Sequence, residues 1–257
     1  MDINNYFDKI FIINLDDRKD RWELILNQLK ENNITNFQRF SAIKPIEIMS
    51  DTIDNNNIDN NNINNNHYNK KMYSEFNPKM VQKFGIKYKV GALGCKLSHL
   101  EIIKHCQREN LNHILILEDD CLFKENFTNN FLKLVETIQN SSDETIRNYD
   151  MLYLGGSFIK KNNNSSPTVE NNILKCNRIY TTHAYILNNT DNNIFNTIIN
   201  DLEKNKFSKE IDVYYSQNIQ RNYNVYIVYP ILIKQYDSYS NILNRNSNYK
   251  KKPGVFS

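Results

Sequence analysis

The chain has 257 residues, a formal net charge of +3 and hydrophobic side chains at 40% of its positions. These values allow a sizeable core and give no reason to expect nucleic acid as a partner. No apolar run approaches the roughly 20 residues of a membrane span, and the N-terminus lacks the layout of a signal peptide. We therefore expect a cytoplasmic protein, folded as one domain over residues 1–257.

The first elements follow the order strand, helix, strand. Residues 9–15 form a short apolar run typical of a buried strand. A helix is predicted next, because apolar side chains recur at the spacing of one helix face and end near Asn33. These side chains are Trp22, Ile25, Leu26 and Leu29. A second strand over residues 37–43 completes a pattern that indicates an α/β protein with a parallel sheet.

An Asn-rich stretch over residues 51–66 interrupts this pattern. It has too few large apolar side chains to offset the entropy of ordering it. We interpret residues from about 49 to 75 as a flexible surface insertion, and the alternative is an aggregation-prone or partner-binding segment.

Two glycines mark the next predicted helix, over residues 91–106. Glycines at a helix start let backbone N–H groups approach an anion, so Gly91 and Gly94 could help to bind phosphate. A close contact between helix and sheet would explain them equally well. The four cysteines form no close pair of the metal-ligand type, so we expect buried thiols and no disulfide. They are Cys95, Cys106, Cys121 and Cys176.

The most informative segment is the apolar strand of residues 113–117, which ends in Glu118, Asp119 and Asp120. Ligands of open α/β sheets bind at the carboxyl ends of strands. In extended geometry Glu118 and Asp120 would face one way and Asp119 the other. Two converging carboxylates repel each other unless a cation lies between them, and oxygen ligands suit Mg²⁺ or Mn²⁺. The alternative is an acidic turn that caps the next helix.

The second half predicts further strands and helices. Helices are predicted over residues 127–138, 194–202 and 211–219, and strands over residues 150–154, twice within 173–187, and over 225–233 with an interruption at Pro230. The strand of residues 150–154 runs into Gly155 and Gly156. A loop is predicted over residues 160–167, and the basic tail 250–252 is interpreted as a solvated terminus.

Several of these segments together resemble glycosyltransferase family 25, which includes bacterial lipopolysaccharide β-galactosyltransferases and procollagen galactosyltransferase domains. The resemblance rests on Phe-Ile-Ile-Asn-Leu followed by Asp-Arg-Lys-Asp-Arg in residues 11–21, Arg-Phe-Ser-Ala in 39–42, Gly-Ala-Leu-Gly-Cys-Lys-Leu-Ser-His in 91–99 and Leu-Glu-Asp-Asp in 117–120. Weaker matches lie at residues 181–185, at 211–212, and at Tyr229, Pro230 and Gln235. The order and spacing of these motifs also resemble the family, and only residues 49–75 and the last few residues are not covered.

The resemblance implies a GT-A fold, with a mixed, mostly parallel sheet flanked by helices. It further implies an enzyme that transfers a hexose or N-acetylhexosamine from a UDP-sugar donor, with Mn²⁺ or Mg²⁺, to a hydroxyl of a glycan or glycoprotein acceptor. Transfer from an α-linked donor to a β-linkage would invert the anomeric centre. The donor sugar and the oligomeric state stay open.

Site residues carried over from the resemblance lie on four segments. Asp120 is the expected metal ligand, and Glu118 supports it or touches the donor ribose. The other residues expected to bind the donor are Asn14, Leu15, Arg18, Arg21, Lys96, Ser98, His99 and Asp119. Each arginine has an alternative role as a surface group paired with Asp17 or Asp20, and His99 has a structural alternative.

Asp212 is the candidate general base by the same analogy, with a buried or cap-forming Asp as the alternative. His183 could be a further ligand or base, and Gly155 and Gly156 could leave room for the acceptor sugar.

One rival function is an inactive relative that binds nucleotide sugars as an interaction module. Another is phosphoryl or nucleotidyl transfer, although the chain has no Gly-x-x-x-x-Gly-Lys loop. The Asn, Ile and Lys bias suggests an AT-rich genome such as that of a giant virus, with the protein in the host cytoplasm or the virion.

Overall fold

The computed structural model describes residues 2–44, 86–159, 169–170, 172–175, 178–189, 193–204, 209–236, 239–240, 245–246 and 255–256. The Asn-rich insertion and the basic tail predicted from the sequence lie outside the described residues. So does the predicted loop over residues 160–167.

The described residues form thirteen strands and seven α-helices, numbered in chain order. The strands are β1 Lys9–Asn14, β2 Phe37–Ser41, β3 His113–Glu118, β4 Cys121–Phe123, β5 Met151–Ile159, β6 Val169–Glu170, β7 Ile173–Lys175, β8 Ile179–Asn188, β9 Val225–Val228, β10 Ile233–Gln235, β11 Tyr239–Ser240, β12 Arg245–Asn246 and β13 Val255–Phe256. The helices are α1 Ile3–Tyr6, α2 Lys19–Glu31, α3 Ile86–Arg108, α4 Phe127–Gln139, α5 Glu144–Arg147, α6 Ile194–Lys204 and α7 Ile211–Tyr214.

The main sheet has the strand order β2-β1-β3-β8-β5-β9-β7-β6, and β13 pairs with β5. Strands β2, β1, β3, β5 and β9 run in one direction, while β8 runs antiparallel between β3 and β5. This arrangement confirms the predicted α/β class with a mixed, mostly parallel sheet flanked by helices. Within the described ranges, no helix is both long and apolar enough to span a membrane.

The sheet separates two hydrophobic clusters, which explains why β3 is apolar at consecutive positions. Ile114 and Ile116 belong to the cluster formed with α3, α6 and α7. Leu115 and Leu117 belong to the cluster formed with α1, α2 and α4. Because successive side chains of a strand face opposite sides, both faces of β3 are covered and its carboxyl end lies between the two layers.

Three local predictions differ from the structure. Gly91 and Gly94 lie inside α3, so the predicted phosphate-binding helix start at these glycines is wrong. Strand β5 continues through Gly155 and Gly156 to Ile159. The predicted helix of residues 211–219 is divided into α7 and a π-helical turn, Tyr215–Ile219.

Candidate active site

The three consecutive acids lie at the carboxyl end of β3, in the turn that leads to β4. Strand β4 pairs with β10, so that Cys121 lies opposite Gln235. The Tyr236 N–H donates a hydrogen bond of 2.7 Å to the backbone oxygen of Asp120. Since the next element is a strand, the alternative of an acidic turn that caps a helix is wrong.

Asp119 is bound by two side chains from the first part of the chain. Its Oδ1 lies 2.8 Å from Arg21 Nη1, and its Oδ2 accepts a hydrogen bond of 2.7 Å from Asn14 Nδ2. The same Nη1 lies 3.8 Å from Asp120 Oδ2. The expectation that Asp119 faces away from Asp120 is therefore wrong, because the chain turns after Glu118 and both carboxylates approach one guanidinium.

Of the three acids, Asp120 has the weakest contacts between its carboxylate and protein donor groups. Gln235 Nε2 lies 3.5 Å from its Oδ2, and its buried Oδ1 has no hydrogen-bond partner among the described residues. Burial raises the pKa of Asp120 to about 7, and the negative charges of Glu118 and Asp119 add to this effect while Arg21 opposes it. A cation at Oδ1 would relieve both the burial cost and the repulsion.

Glu118 is held by α3 and β8. Its Oε1 accepts a hydrogen bond of 2.8 Å from Thr182 Oγ1 and lies 3.3 Å from His99 Nε2. Burial raises the pKa of Glu118, but contacts with His99 and Thr182 outweigh burial and the net pKa is lowered. Glu118 is therefore ionised at neutral pH, beside an Asp120 that resists ionisation.

Cys95 completes this side of the site, and the sequence interpretation missed it. The ligand atoms of Cys95, His99 and Glu118 lie within 4.8 Å of one another. The sequence contains a signal for it, since Cys95 and His99 are four residues apart on one helix face. The expectation of buried thiols rests on the spacing between cysteines alone and leaves out this Cys–His spacing.

Two residues predicted to contact the donor, one at the end of β1 and one in the following turn, bind other groups of the protein through their side chains. Asn14 is buried; its Nδ2 also donates to the Arg18 backbone oxygen, and its Oδ1 accepts from Arg39 Nε at 2.9 Å and Nη2 at 2.8 Å. Arg18 forms an ion pair of 2.8 Å with Asp20, as its alternative interpretation states. Leu15 is half-buried beyond β1. Contact of these residues with a donor stays a prediction.

Two predicted contacts lie on α3. Ser98 Oγ donates to the Gly94 backbone oxygen and accepts a hydrogen bond of 2.8 Å from the Ile43 N–H, so it fastens the segment after β2 to the helix. The Lys96 side chain is buried. A donor contact of either residue also stays a prediction.

Asp212 lies in α7, close to β8. Its Oδ2 accepts a hydrogen bond of 3.4 Å from the Thr181 N–H, and its Oδ1 one of 2.7 Å from the Val213 N–H. Burial raises the pKa of Asp212, with further contributions from Glu210 and Glu118. Thr181 has a φ of 68°, in the left-handed region that β-branched residues rarely adopt. Such strain is concentrated at functional sites.

His183 is enclosed by protein groups. Its Nδ1 lies 3.0 Å from Thr181 Oγ1, and its Nε2 lies 3.3 Å from the Ile233 backbone oxygen. A Cβ on Gly155 would lie 2.2 Å from His183 Nε2 and 2.2 Å from the Ile233 backbone oxygen. The space beside Gly155 is therefore filled by the chain itself, and the expectation that it accommodates an acceptor sugar is wrong. Gly156 is likewise packed against Ile179. Burial lowers the pKa of His183.

Comparison with known proteins gives a consistent assignment. The sequence profile described as glycosyltransferase family 25 (LPS biosynthesis protein) matches residues 7–215. A glycosyltransferase 25 family member of Drosophila melanogaster is 27% identical over 183 residues, which are 70% of this chain and 26% of that protein. Human procollagen galactosyltransferase 2 is 26% identical over 188 residues, with the same two coverages of 70% and 26%.

The chain thus spans about a quarter of the length of these curated relatives. Among solved structures, a glycosyltransferase involved in the glycosylation of the major capsid of PBCV-1 has a TM-score of 0.42 and 11% identity, with 91% of this chain and 94% of that chain covered.

Proposed function

The chain belongs to glycosyltransferase family 25, and on this premise we propose that it transfers a hexose or N-acetylhexosamine from a UDP-sugar to a hydroxyl of a glycan or glycosylated protein. The observation that carries the proposal is the buried Oδ1 of Asp120, which has no hydrogen-bond partner in the described part of the chain. It lies beside the ionised Glu118, at the end of a parallel strand where α/β proteins bind ligands.

The residues present fit a divalent cation such as Mn²⁺ or Mg²⁺. Asp120 and Glu118 offer carboxylate oxygens, which these hard cations prefer, and the mutual repulsion that raises the pKa of Asp120 favours a positive ion. When bound, the cation would neutralise the charge that develops on the diphosphate leaving group.

Arg21 supports binding of the diphosphate from the other side of Asp120. Its guanidinium is oriented by Asp119 at 2.8 Å and lies near Asp120 at 3.8 Å. A planar guanidinium pairs well with phosphate oxygens, and this one is held in place before a donor arrives.

Asp212 is proposed as the general base that takes the proton of the acceptor hydroxyl. Its pKa is raised by burial, which makes its carboxylate a stronger base than an exposed one. Glu118 contributes to the same increase in pKa, so the two acids lie within electrostatic reach of each other. An inverting transfer requires such a base opposite the leaving group.

Thermal unfolding with UDP, UDP-galactose and other UDP-sugars, with and without Mn²⁺, tests donor binding. A ligand that binds only the folded state raises the unfolding temperature by mass action. We expect stabilisation that needs both UDP and Mn²⁺ and that is absent in Asp120→Asn. Glu136→Gln, which removes an exposed charge on α4, should behave as the wild type. Donor binding that is unchanged in Asp120→Asn would refute the site.

Release of UDP from the donor tests the chemistry separately. Asp212→Asn should bind UDP-sugar and Mn²⁺ as the wild type does but lose hydrolysis and transfer. UDP-galactose is the first donor to test, because the human relative is named a galactosyltransferase. Tight binding without turnover by the wild type would favour the inactive interaction module.

A further inference from the structure

We propose that Cys95, His99 and Glu118 form a second cation site, which takes a borderline-soft ion such as Zn²⁺. The sulfur, nitrogen and oxygen ligand atoms lie within 4.8 Å of one another. This ligand set differs from the carboxylate set at Asp120, and its mixed S, N and O donors are those of zinc sites.

The fold brings these ligands together by two independent means. Cys95 and His99 lie one turn apart on α3, so their side chains share the helix face that packs on the sheet. Glu118 ends β3, and its carboxylate reaches His99 at 3.3 Å. Three protein ligands leave one coordination position open, as in zinc sites that also bind water or another small ligand.

A buried hydrogen-bond chain allows His99 to act as a ligand. His99 Nδ1 lies 2.8 Å from the Tyr185 hydroxyl, which lies 3.2 Å from the Tyr215 hydroxyl. All three side chains are fully buried. Hydroxyls can donate or accept, so Nδ1 can carry its proton toward Tyr185 and leave the Nε2 lone pair for the cation. Such partners of the second ring nitrogen orient histidine ligands in metal sites.

The electrostatic environment also favours a cation. Burial, and after it the negative charges of Glu118, Asp212 and Asp120, raise the pKa of the Cys95 thiol, and a cation would reduce the repulsion from these charges. When a divalent ion binds, the thiol proton leaves to solvent, a sulfur–metal bond forms, and no electron is transferred. The ion then balances negative charge that the described residues compensate only in part.

This inference does not rest on the proposed function, because binding of the metal alone tests it. It has one consequence for that function. Glu118 belongs to both ligand sets, so occupancy by Zn²⁺ should weaken Mn²⁺-dependent binding of UDP.

Cobalt serves as the spectroscopic probe for the test, since Co²⁺ bound by a thiolate gives a charge-transfer band in the near-ultraviolet. We expect the band in the wild-type protein titrated with Co²⁺, and its removal by Zn²⁺. Cys95→Ser should lose the band. Cys106→Ala, which removes a thiol further along α3, and Asp120→Asn should keep it.

A second variant keeps the test informative if Cys95→Ser does not fold. Tyr185→Phe removes only the hydroxyl behind His99 and should weaken Zn²⁺ by about 10- to 100-fold in equilibrium dialysis. In the wild type, Zn²⁺ should protect Cys95 from alkylation while Mg²⁺ does not. The proposal is overturned if the wild type shows no band, if Cys95→Ser keeps it, or if Asp120→Asn abolishes Zn²⁺ binding.

Discussion

Replacing Asp120 by Asn should stabilise the metal-free protein above neutral pH, although it removes a residue of the proposed site. The ionised carboxylate is unfavourable in the folded state because it is buried and lies beside Glu118 and Asp119. Its pKa of about 7, against an ordinary 3.8, corresponds to up to about 4 kcal/mol. The side chain is only 12% exposed, so solvent screens little of this penalty.

The sign of the pH dependence follows from the raised pKa. Between about pH 4 and pH 7 the folded state holds the Asp120 proton while the unfolded chain has lost it, so stability falls as the pH rises. Urea unfolding at a series of pH values, in the presence of a chelator, measures how the free energy of unfolding changes with pH. We expect the wild type to lose about 1–3 kcal/mol between about pH 5 and pH 8 through this group, and Asp120→Asn to lose none of it.

Asp119→Asn is the matched control, with the opposite expected sign. Asp119 accepts hydrogen bonds from both Arg21 and Asn14, and an amide there would direct its own N–H₂ at one of these donors. We expect a loss of about 1–3 kcal/mol. Two results for Asp120→Asn would contradict this expectation: a loss of stability like that of Asp119→Asn, or an unchanged wild-type pH dependence. Either result would refute the argument that the ionised Asp120 carboxylate destabilises the metal-free protein.

Two further predictions concern stability away from the acids. Gly155→Ala should cost about 3 kcal/mol in urea unfolding, because its Cβ would lie 2.2 Å from the rigid Ile233 backbone oxygen. Gly156→Ala, whose nearest neighbour is a side chain at 3.0 Å, should cost less. His113 is half-buried beside the Tyr6 backbone oxygen, and partial burial lowers its pKa. Through this group the folded protein should lose stability as the pH falls below about 6.5, and His113→Asn should remove this contribution but not that of the buried His183, whose pKa is also lowered.

The strands and the position of the acids could be predicted because their signals are local. Strand β3 is apolar at consecutive positions since both of its faces are covered, and the acids begin where that run stops. The partners of the acids could not be predicted in this way. Thr182 reaches Glu118 because β8 runs antiparallel beside β3, and Gln235 reaches Asp120 because β10 pairs with β4. No local pattern encodes these pairings.

For the two glycines of α3, the local sequence signal predicts the wrong position in the helix. Glycine disfavours a helix interior by about 1 kcal/mol, so local propensity favours a helix start at Gly91 and Gly94 over a helix interior. The helix continues through both, and Gly94 is buried. Tertiary packing thus outweighs local propensity here.

The three neighbouring acids differ in function because they differ in partners. Asp119 is paired with Arg21 and orients it, although burial still raises the pKa of Asp119, while Glu118 is kept ionised by His99 and Thr182. Asp120 alone among the three has a buried oxygen without a partner in the described structure. Environments that separate the pKa values of adjacent carboxylates are how one residue type serves several roles. The site is therefore specified less by the run of acids than by helices α2 and α3 and strand β8, which give Asp119 and Glu118 close protein partners and leave Asp120 Oδ1 without one among the described residues.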